Sequence, residues 1–231
     1  MSKGHRERLK WFREHRLAWG LVLVAALCVF RAAWMWVFRQ WFGPFDFYET
    51  PAFALFLLAW FSLFSLGLVG GGIFWLTGTS WRALGWRRTD LAKAIGLGLL
   101  GFLLSAAALL PLMWVGGVTG RPDYVRPSAV RVLLVTFFAF GIAAWTEENL
   151  FRGYLQPLLA RRLPLWAAVM IQAALFTAAH LGYATELLRF VWLFVSGLIF
   201  GWLRGRDRSL VAPYLAHALG WTVMAFGPPA F

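Results

Sequence analysis

Charge is scarce in this sequence: 14% of its 231 residues are Asp, Glu, Lys or Arg, where a soluble domain carries about a quarter. Acidic residues are scarcer still, 10 against 22 Lys and Arg. Cysteine is almost absent. The single Cys28 excludes an intramolecular disulfide and any cysteine-based metal cluster. Set inside an apolar run, it reads as an inert buried thiol. There is no long linker, low-complexity tract or internal repeat, and no Ser-His-Asp signature. A sizeable soluble domain beside the apolar part is excluded as well, because the chain has no room for one.

What is present is apolar. Hydrophobic residues make up 61% of the chain, including 15 Trp and 22 Phe, which points to one all-α bundle whose outer surface faces lipid. The net charge of +12 does not indicate nucleic acid, because the basic residues lie in short loops and an N-terminal arm between apolar runs. That is the pattern of anionic-lipid contact and topology signals.

A membrane-spanning helix needs about 20 apolar residues, and seven runs approach or exceed this. They cover about Leu17 to Phe38, Ala52 to Leu76, Leu91 to Val115, Ser128 to Leu159, Leu165 to Leu181, Leu187 to Leu203 and Leu210 to Phe226. Gly43-Pro44, Pro51, Gly116-Gly117, Gly120, Pro122, Pro127, Pro164, Gly205 and Asp207 punctuate them. The first run is too long for a signal segment and carries Arg31 and several Trp, so it reads as an uncleaved span. The step Gly197-x-x-x-Gly201 in the sixth span would let two helices approach closely.

Loop charges alternate. The arm (Lys3, Arg6, Arg8, Lys10, Arg13, Arg16), the second loop (Arg82, Arg87, Arg88), the fourth (Arg161, Arg162) and the sixth (Arg204, Arg206, Arg208) are basic. The first and fifth carry Asp46, Glu49 and Glu186; the third, with Arg121 and Arg126, runs against the pattern. The positive-inside rule therefore predicts a cytoplasmic N-terminus and an external C-terminus.

The residues that carry chemistry stand inside the spans. In Thr146-Glu147-Glu148-Asn149-Leu150-Phe151-Arg152, two adjacent carboxylates and an arginine fall at membrane depth, where such groups are costly and functional by default. Glu148 and Arg152 are four apart and can pair on one helix face. Glu147 points about 100° away and is the carboxylate less occupied by that arginine. Gln172, Phe176 and His180 form one stripe in the fifth span, and His217 lies near the start of the seventh. At 1.5 Å per residue from the cytoplasmic loops, Glu147 sits about 20 Å in, His180 about 24 Å and His217 about 11 Å. A carboxylate beside an imidazole can activate water, and a second histidine can donate to an oxyanion. Together these groups suit amide hydrolysis. Alone, each histidine would more often be a satisfied core residue, and the Glu148–Arg152 pair could merely fix helix packing.

Glu147-Glu148-x-x-x-Arg152, Phe176-x-x-x-His180 and His217, in this order, resemble the CPBP family of membrane proteases (CAAX proteases and bacteriocin-processing enzymes). Phe151-Arg152-Gly153-Tyr154-Leu155, Leu84-Gly85-Trp86 and Ser209-Leu210 through Ala218-Leu219 fit its flanking segments, so the resemblance runs from about Trp81 to Trp221. It implies a glutamic intramembrane endopeptidase acting on a membrane-associated protein or peptide. Glu147 and His180 would activate the water, Glu148 and Arg152 would hold the site together, and His217 would help form the oxyanion hole. Phe176, Gln172 and Trp221 would support them. No cofactor is implied, although Glu and two His can ligate zinc, which is the lesser alternative. The expected partners are membrane lipids and the substrate, with no nucleic acid, and the expected location is the plasma (inner) membrane as a multi-pass protein. The resemblance divides the chain into a basic cytoplasmic arm (1–16), two N-terminal transmembrane helices (17–80) and a CPBP-like catalytic membrane domain (81–231).

One position departs from the family. Four residues after His217, where a polar residue such as Asn is usual, stands Trp221, whose indole has a donor and no acceptor. Trp221 itself, Gln172 or Thr222 would then supply the missing donor, or the oxyanion hole is weakened. The rival reading is thus a catalytically silent relative that serves as a membrane immunity or scaffold protein. A proton-coupled transporter is disfavoured by the absence of a repeat and by the pairing of Glu148 with Arg152.

Overall fold

In lipid every backbone polar group must find its partner within the protein, so near-continuous apolar segments can only be helices. The computed structural model describes residues 3–42, 59–87, 90–115, 128–181 and 187–224, and among them the fold is all helical. The basic arm is itself a helix, α1 (Lys3–Glu14). Then follow α2 (Arg16–Phe42), α3 (Trp60–Trp75), the short α4 (Trp81–Leu84) and α5 (Leu91–Val115). The remaining elements are α6 (Ala129–Leu159), α7 (Leu165–Ala178), α8 (Leu187–Asp207) and α9 (Val211–Met224). A helix stands at each of the seven predicted spans. Four are long and apolar enough to cross a membrane: Arg16–Trp34 of α2, Leu91–Pro111 of α5, all of α6, and α8; Ser65–Trp75 and α7 are shorter apolar helices. The protein is a polytopic helical membrane protein. The loop residues Asp46, Glu49, Arg88, Arg121, Arg126 and Glu186 used in the charge count lie outside the described residues.

The helix starts are capped by polar side chains at the apolar boundaries. Ser80 Oγ accepts from the Ala83 amide at 3.2 Å, Asp90 Oδ1 from Lys93 at 3.1 Å and Ser128 Oγ from Arg131 at 3.1 Å. Large apolar side chains such as Leu103, Leu133, Trp166 and Leu187 point outward, as a lipid-facing surface requires.

The fully buried Leu150, Phe151 and Leu155 make α6 the central element. It contacts α2, α3, α4, α7, α8 and α9. Two of its stretches, Phe138–Ala143 and Asn149–Leu155, are wound as π-helix and bracket Glu147-Glu148; such wide turns recur at functional sites. On the far side of the bundle, α9 lies against α5 and α8, and α8 against α7.

The α7–α8 contact is close because of the small-residue step. A Cβ built on Gly197 would stand 3.0 Å from the Cβ and 3.1 Å from the Cα of Ala173. The closeness brings carbonyls of α8 within reach of amides from two other helices: Gln172 Nε2 donates to Gly197 O and Gln156 Nε2 to Gly201 O, both at 2.9 Å.

The turn ahead of α9 is recessed, which the depth estimate for His217 did not foresee. Ser209 and Leu210 are buried, and the Leu210 amide donates to Gly85 O at 3.0 Å. Gly85 has φ +112°, a left-handed conformation that favours glycine, and the Arg204 guanidinium lies against it. Arg204 Nη2 also donates to Leu84 O (3.2 Å) and Nε to Arg152 O (3.2 Å). Because the turn starts inside the protein rather than at its surface, a residue only seven positions further on still reaches the centre.

Gly197→Leu is therefore expected to push α7 from α8 and destabilise the fold by about 1–3 kcal/mol, the usual range for overpacking. Gly96→Leu, at a position where an added Cβ meets nothing, should be close to neutral. Thermal unfolding of the two variants in one detergent checks this.

Candidate active site

Two carboxylates, two guanidinium groups and two imidazoles meet in the bundle. Glu147, Glu148 and Arg152 come from α6, His180 follows the end of α7, His217 comes from α9, and Arg31 arrives from α2. Each is at most 5% exposed. An ion held away from water is tolerated only when it is paired and hydrogen-bonded, and the pairing divides the charges into two units.

The first unit is the one expected from sequence spacing. Arg152 Nη1 donates to Glu148 Oε1 at 3.0 Å, one turn away on the same helix. Its Nη2 reaches Gly197 O at 3.4 Å, and the guanidinium carbon lies 4.3 Å from the centre of the Phe176 ring. That is cation–π distance. Phe176 thus forms the wall between the pair and His180, with ring centres 4.8 Å apart. Gln172, one turn earlier, donates to Gly197 O and holds α8 rather than entering the ion cluster.

His217 links the two units. Its Nδ1 lies 2.7 Å from Glu148 Oε1. A carboxylate bound to Arg152 is an acceptor, so the ring carries hydrogen on Nδ1; this tautomer is assigned from its partners. Trp221 Nε1, a donor only, then donates to His217 Nε2 at 3.2 Å. The ring of Phe200 stacks on the imidazole with centres 5.3 Å apart. In this arrangement His217 already donates its one N–H to Glu148. The donor aimed at its other side is the indole of Trp221. Thr222 instead donates to Ala218 O within its own helix.

The second unit was not foreseen. Glu147 Oε1 accepts from Arg31 Nη2. Arg31 Nη1 also donates to Ala179 O at 3.0 Å and lies 3.3 Å from His180 Nε2. His180 Nδ1 is 2.7 Å from Phe176 O; a carbonyl can only accept, so Nδ1 bears the hydrogen and Nε2 presents its lone pair. Among the described residues, Glu147 Oε2 has no hydrogen-bond donor. It faces His180 Nε2 at 3.8 Å and His217 Nε2 at 3.7 Å.

Sequence had indicated that Glu147 is free of Arg152, and it is, but a different arginine holds it. The available signal was modest. Arg31 extends the buried stripe Gly20, Leu23, Val24, Leu27 of α2, and at 1.5 Å per residue from Arg16 it sits about 22 Å in, level with Glu147. The rule that an intramembrane cation needs a partner would have asked for one.

Below the site, the short segment noted for its resemblance closes one end. Trp86 Nε1 donates to Asn149 Oδ1 at 2.8 Å, and Asn149 Nδ2 donates to Trp145 O at 2.7 Å. The carbonyls of Leu84 and Gly85 receive Arg204 and the Leu210 amide as described.

If Glu148 and Arg152 stabilise one another, removing one partner alone should be the worst case. Glu148→Gln or Arg152→Gln should each cost about 3–5 kcal/mol, the range for a broken buried pair, and the double variant should lose less than the sum. A double-mutant cycle on thermal unfolding reads this coupling.

Comparison with curated proteins and with solved structures gives no match. Residues 129–223, which include Glu147, Glu148, Arg152, His180 and His217, match the family described as Rce1-like: Type II CAAX prenyl endopeptidase Rce1-like. That is the CAAX protease family which the motifs resemble, so residues 129–223 of this integral membrane protein are similar to the Rce1-like type II CAAX prenyl endopeptidases.

Proposed function

We propose that this chain is a glutamic intramembrane endopeptidase that hydrolyses a peptide bond in a membrane-associated protein or peptide. The observation that carries the reading is the convergence of Glu147 Oε2 on two imidazole nitrogens, at 3.8 and 3.7 Å, inside the family-matched segment. A water donates one hydrogen to Glu147 Oε2 and lies against the His180 ring, whose Nε2 lone pair is shared with Arg31 Nη1. Its oxygen attacks the carbonyl carbon while Glu147 takes a proton as general base. The tetrahedral intermediate collapses with cleavage of the C–N bond, and Glu147 returns the proton to the leaving nitrogen. The products are a new carboxyl group and a new amine. Arg152, Glu148 and His217 keep the opposite wall in place, and the indole N–H of Trp221 is the donor we assign to the developing oxyanion.

The donor set favours this metal-free route over zinc. Of three prospective ligand atoms, His217 Nε2 already accepts from Trp221, and His180 Nε2 lies against a guanidinium nitrogen at 3.3 Å. A zinc ion would need both lone pairs and would sit beside a fixed cation. A CAAX-type substrate is supported by the family match, and a bacteriocin-type one only by the motif resemblance. The loop charges support a cytoplasmic N-terminus, and we propose the plasma membrane as the location.

A second reading has its own observation. Trp221 occupies the His217 nitrogen that a donor to substrate would use, which favours a silent relative acting as an immunity or scaffold protein.

Both readings are separated by one cell-based experiment. Wild type, Glu147→Ala and His180→Ala are expressed at matched levels, and the termini of membrane proteins are mapped by mass spectrometry. The same uncut precursor should accumulate with both variants. Unchanged termini would refute the peptidase. If Trp221→Asn then cuts where the wild type does not, the native chain is the silent relative.

A further inference from the structure

The family match begins at residue 129 and the motif resemblance at about Trp81, so both leave α2 outside the catalytic part. The geometry points elsewhere. We infer that Arg31 is a positioning residue of the active site, and that the first span is therefore a working part of the catalytic unit; the inference rests on the peptidase reading above.

Three contacts converge on one guanidinium. Nη2 holds Glu147 Oε1, and Nη1 serves both Ala179 O (3.0 Å) and His180 Nε2 (3.3 Å). The partners are 116, 148 and 149 residues away in sequence, so no local feature of α6 or α7 replaces them. Each contact has a separate consequence. Binding Oε1 fixes the rotation of the carboxylate and turns Oε2 toward the two imidazoles. Accepting from Nη1 orients the His180 lone pair. The bond to Ala179 O satisfies one of the carbonyls that a helix end leaves without a partner, at the negative end of the α7 dipole, and so fixes the peptide immediately before His180. One side chain thereby sets the distance between the general base and its imidazole.

Charge makes the same point. The cluster holds Glu147 and Glu148 against Arg31 and Arg152, with both imidazoles assigned as neutral. Arg152 is committed to Glu148. Without Arg31, Glu147 would be a buried anion facing two lone pairs. A planar fork suits this arrangement better than a point charge, because it reaches three acceptors lying in different directions. The packing of α2 keeps the arginine on target: Leu23, Val24 and Leu27 are buried, Trp19 Nε1 donates to Gly72 O at 2.8 Å, and Tyr154 OH donates to Arg16 O at 3.1 Å.

The test uses the full chain in lipid nanodiscs and the precursor that accumulates with Glu147→Ala. Arg31→Gln should lower kcat by about 10²-fold, the scale of a misplaced catalytic group, with KM changed far less. Arg31→Lys should recover part of that loss and remain below wild type, since an ammonium keeps the charge without the fork. A purely structural ion pair predicts instead that activity tracks the folded fraction and that the folded Arg31→Lys protein cleaves at the wild-type rate. That last result overturns the inference, and Arg31→Lys decides the matter even if Arg31→Gln does not fold. If Glu147→Ala still cleaves, the glutamic mechanism fails instead. If Glu147→Ala is dead while Arg31→Gln works at the wild-type rate, only the role of Arg31 falls. A wild type that cleaves nothing removes both.

Discussion

Two adjacent glutamates on one helix cannot stay ionised in the interior of a membrane bundle unless each meets a cation, and the arrangement of the helices around α6 follows from that demand. Arg152, one turn away, serves Glu148 from within the helix. Glu147 points elsewhere, and its cation arrives from α2. The bundle must therefore bring the first span against the centre of α6. It must also bring α8 close enough for Gly197 O to reach Arg152 and Gln172, and recess the turn before α9 so that His217 reaches Glu148. Small residues at Gly197 and Gly201 and the left-handed Gly85 are the local concessions that make these approaches possible.

The same demand explains what could be read from the sequence. Apolar runs separated by charged or Gly/Pro-marked loops were enough for the seven helices, because in lipid hydrophobic length leaves little alternative. The Glu148–Arg152 pair was legible because i and i+4 share a helix face. The meeting of Glu147 with His180 was anticipated from depth, since straight helices convert residue number into distance. The depth estimate also put His217 in the interior, but only about 11 Å in. It assumes that a turn lies at the membrane surface, and the turn at Ser209-Leu210 is buried on Gly85. Arg31 was visible as an oddity in the first span, but its partner was not, because rotation of α2 about its axis is set by tertiary packing that no periodicity records in an all-apolar helix. The helical character of the N-terminal arm was missed for a simpler reason: its charges were counted and its periodicity was not.

Trp221 is where this chain differs most from the pattern it resembles. Its indole N–H closes on His217 Nε2, and its ring meets Phe138 edge-on with centres 5.3 Å apart. The residue is the group that occupies the second nitrogen of His217.

The most direct measurement is hydrolysis in ¹⁸O-labelled water by the purified, reconstituted full chain acting on its accumulated precursor, followed by mass spectrometry of the new carboxyl terminus. The account predicts one solvent oxygen in that carboxyl group for the wild type, and no product for Glu147→Gln with the fold intact. Cleavage that persists in Glu147→Gln, or a product without solvent oxygen, would contradict it.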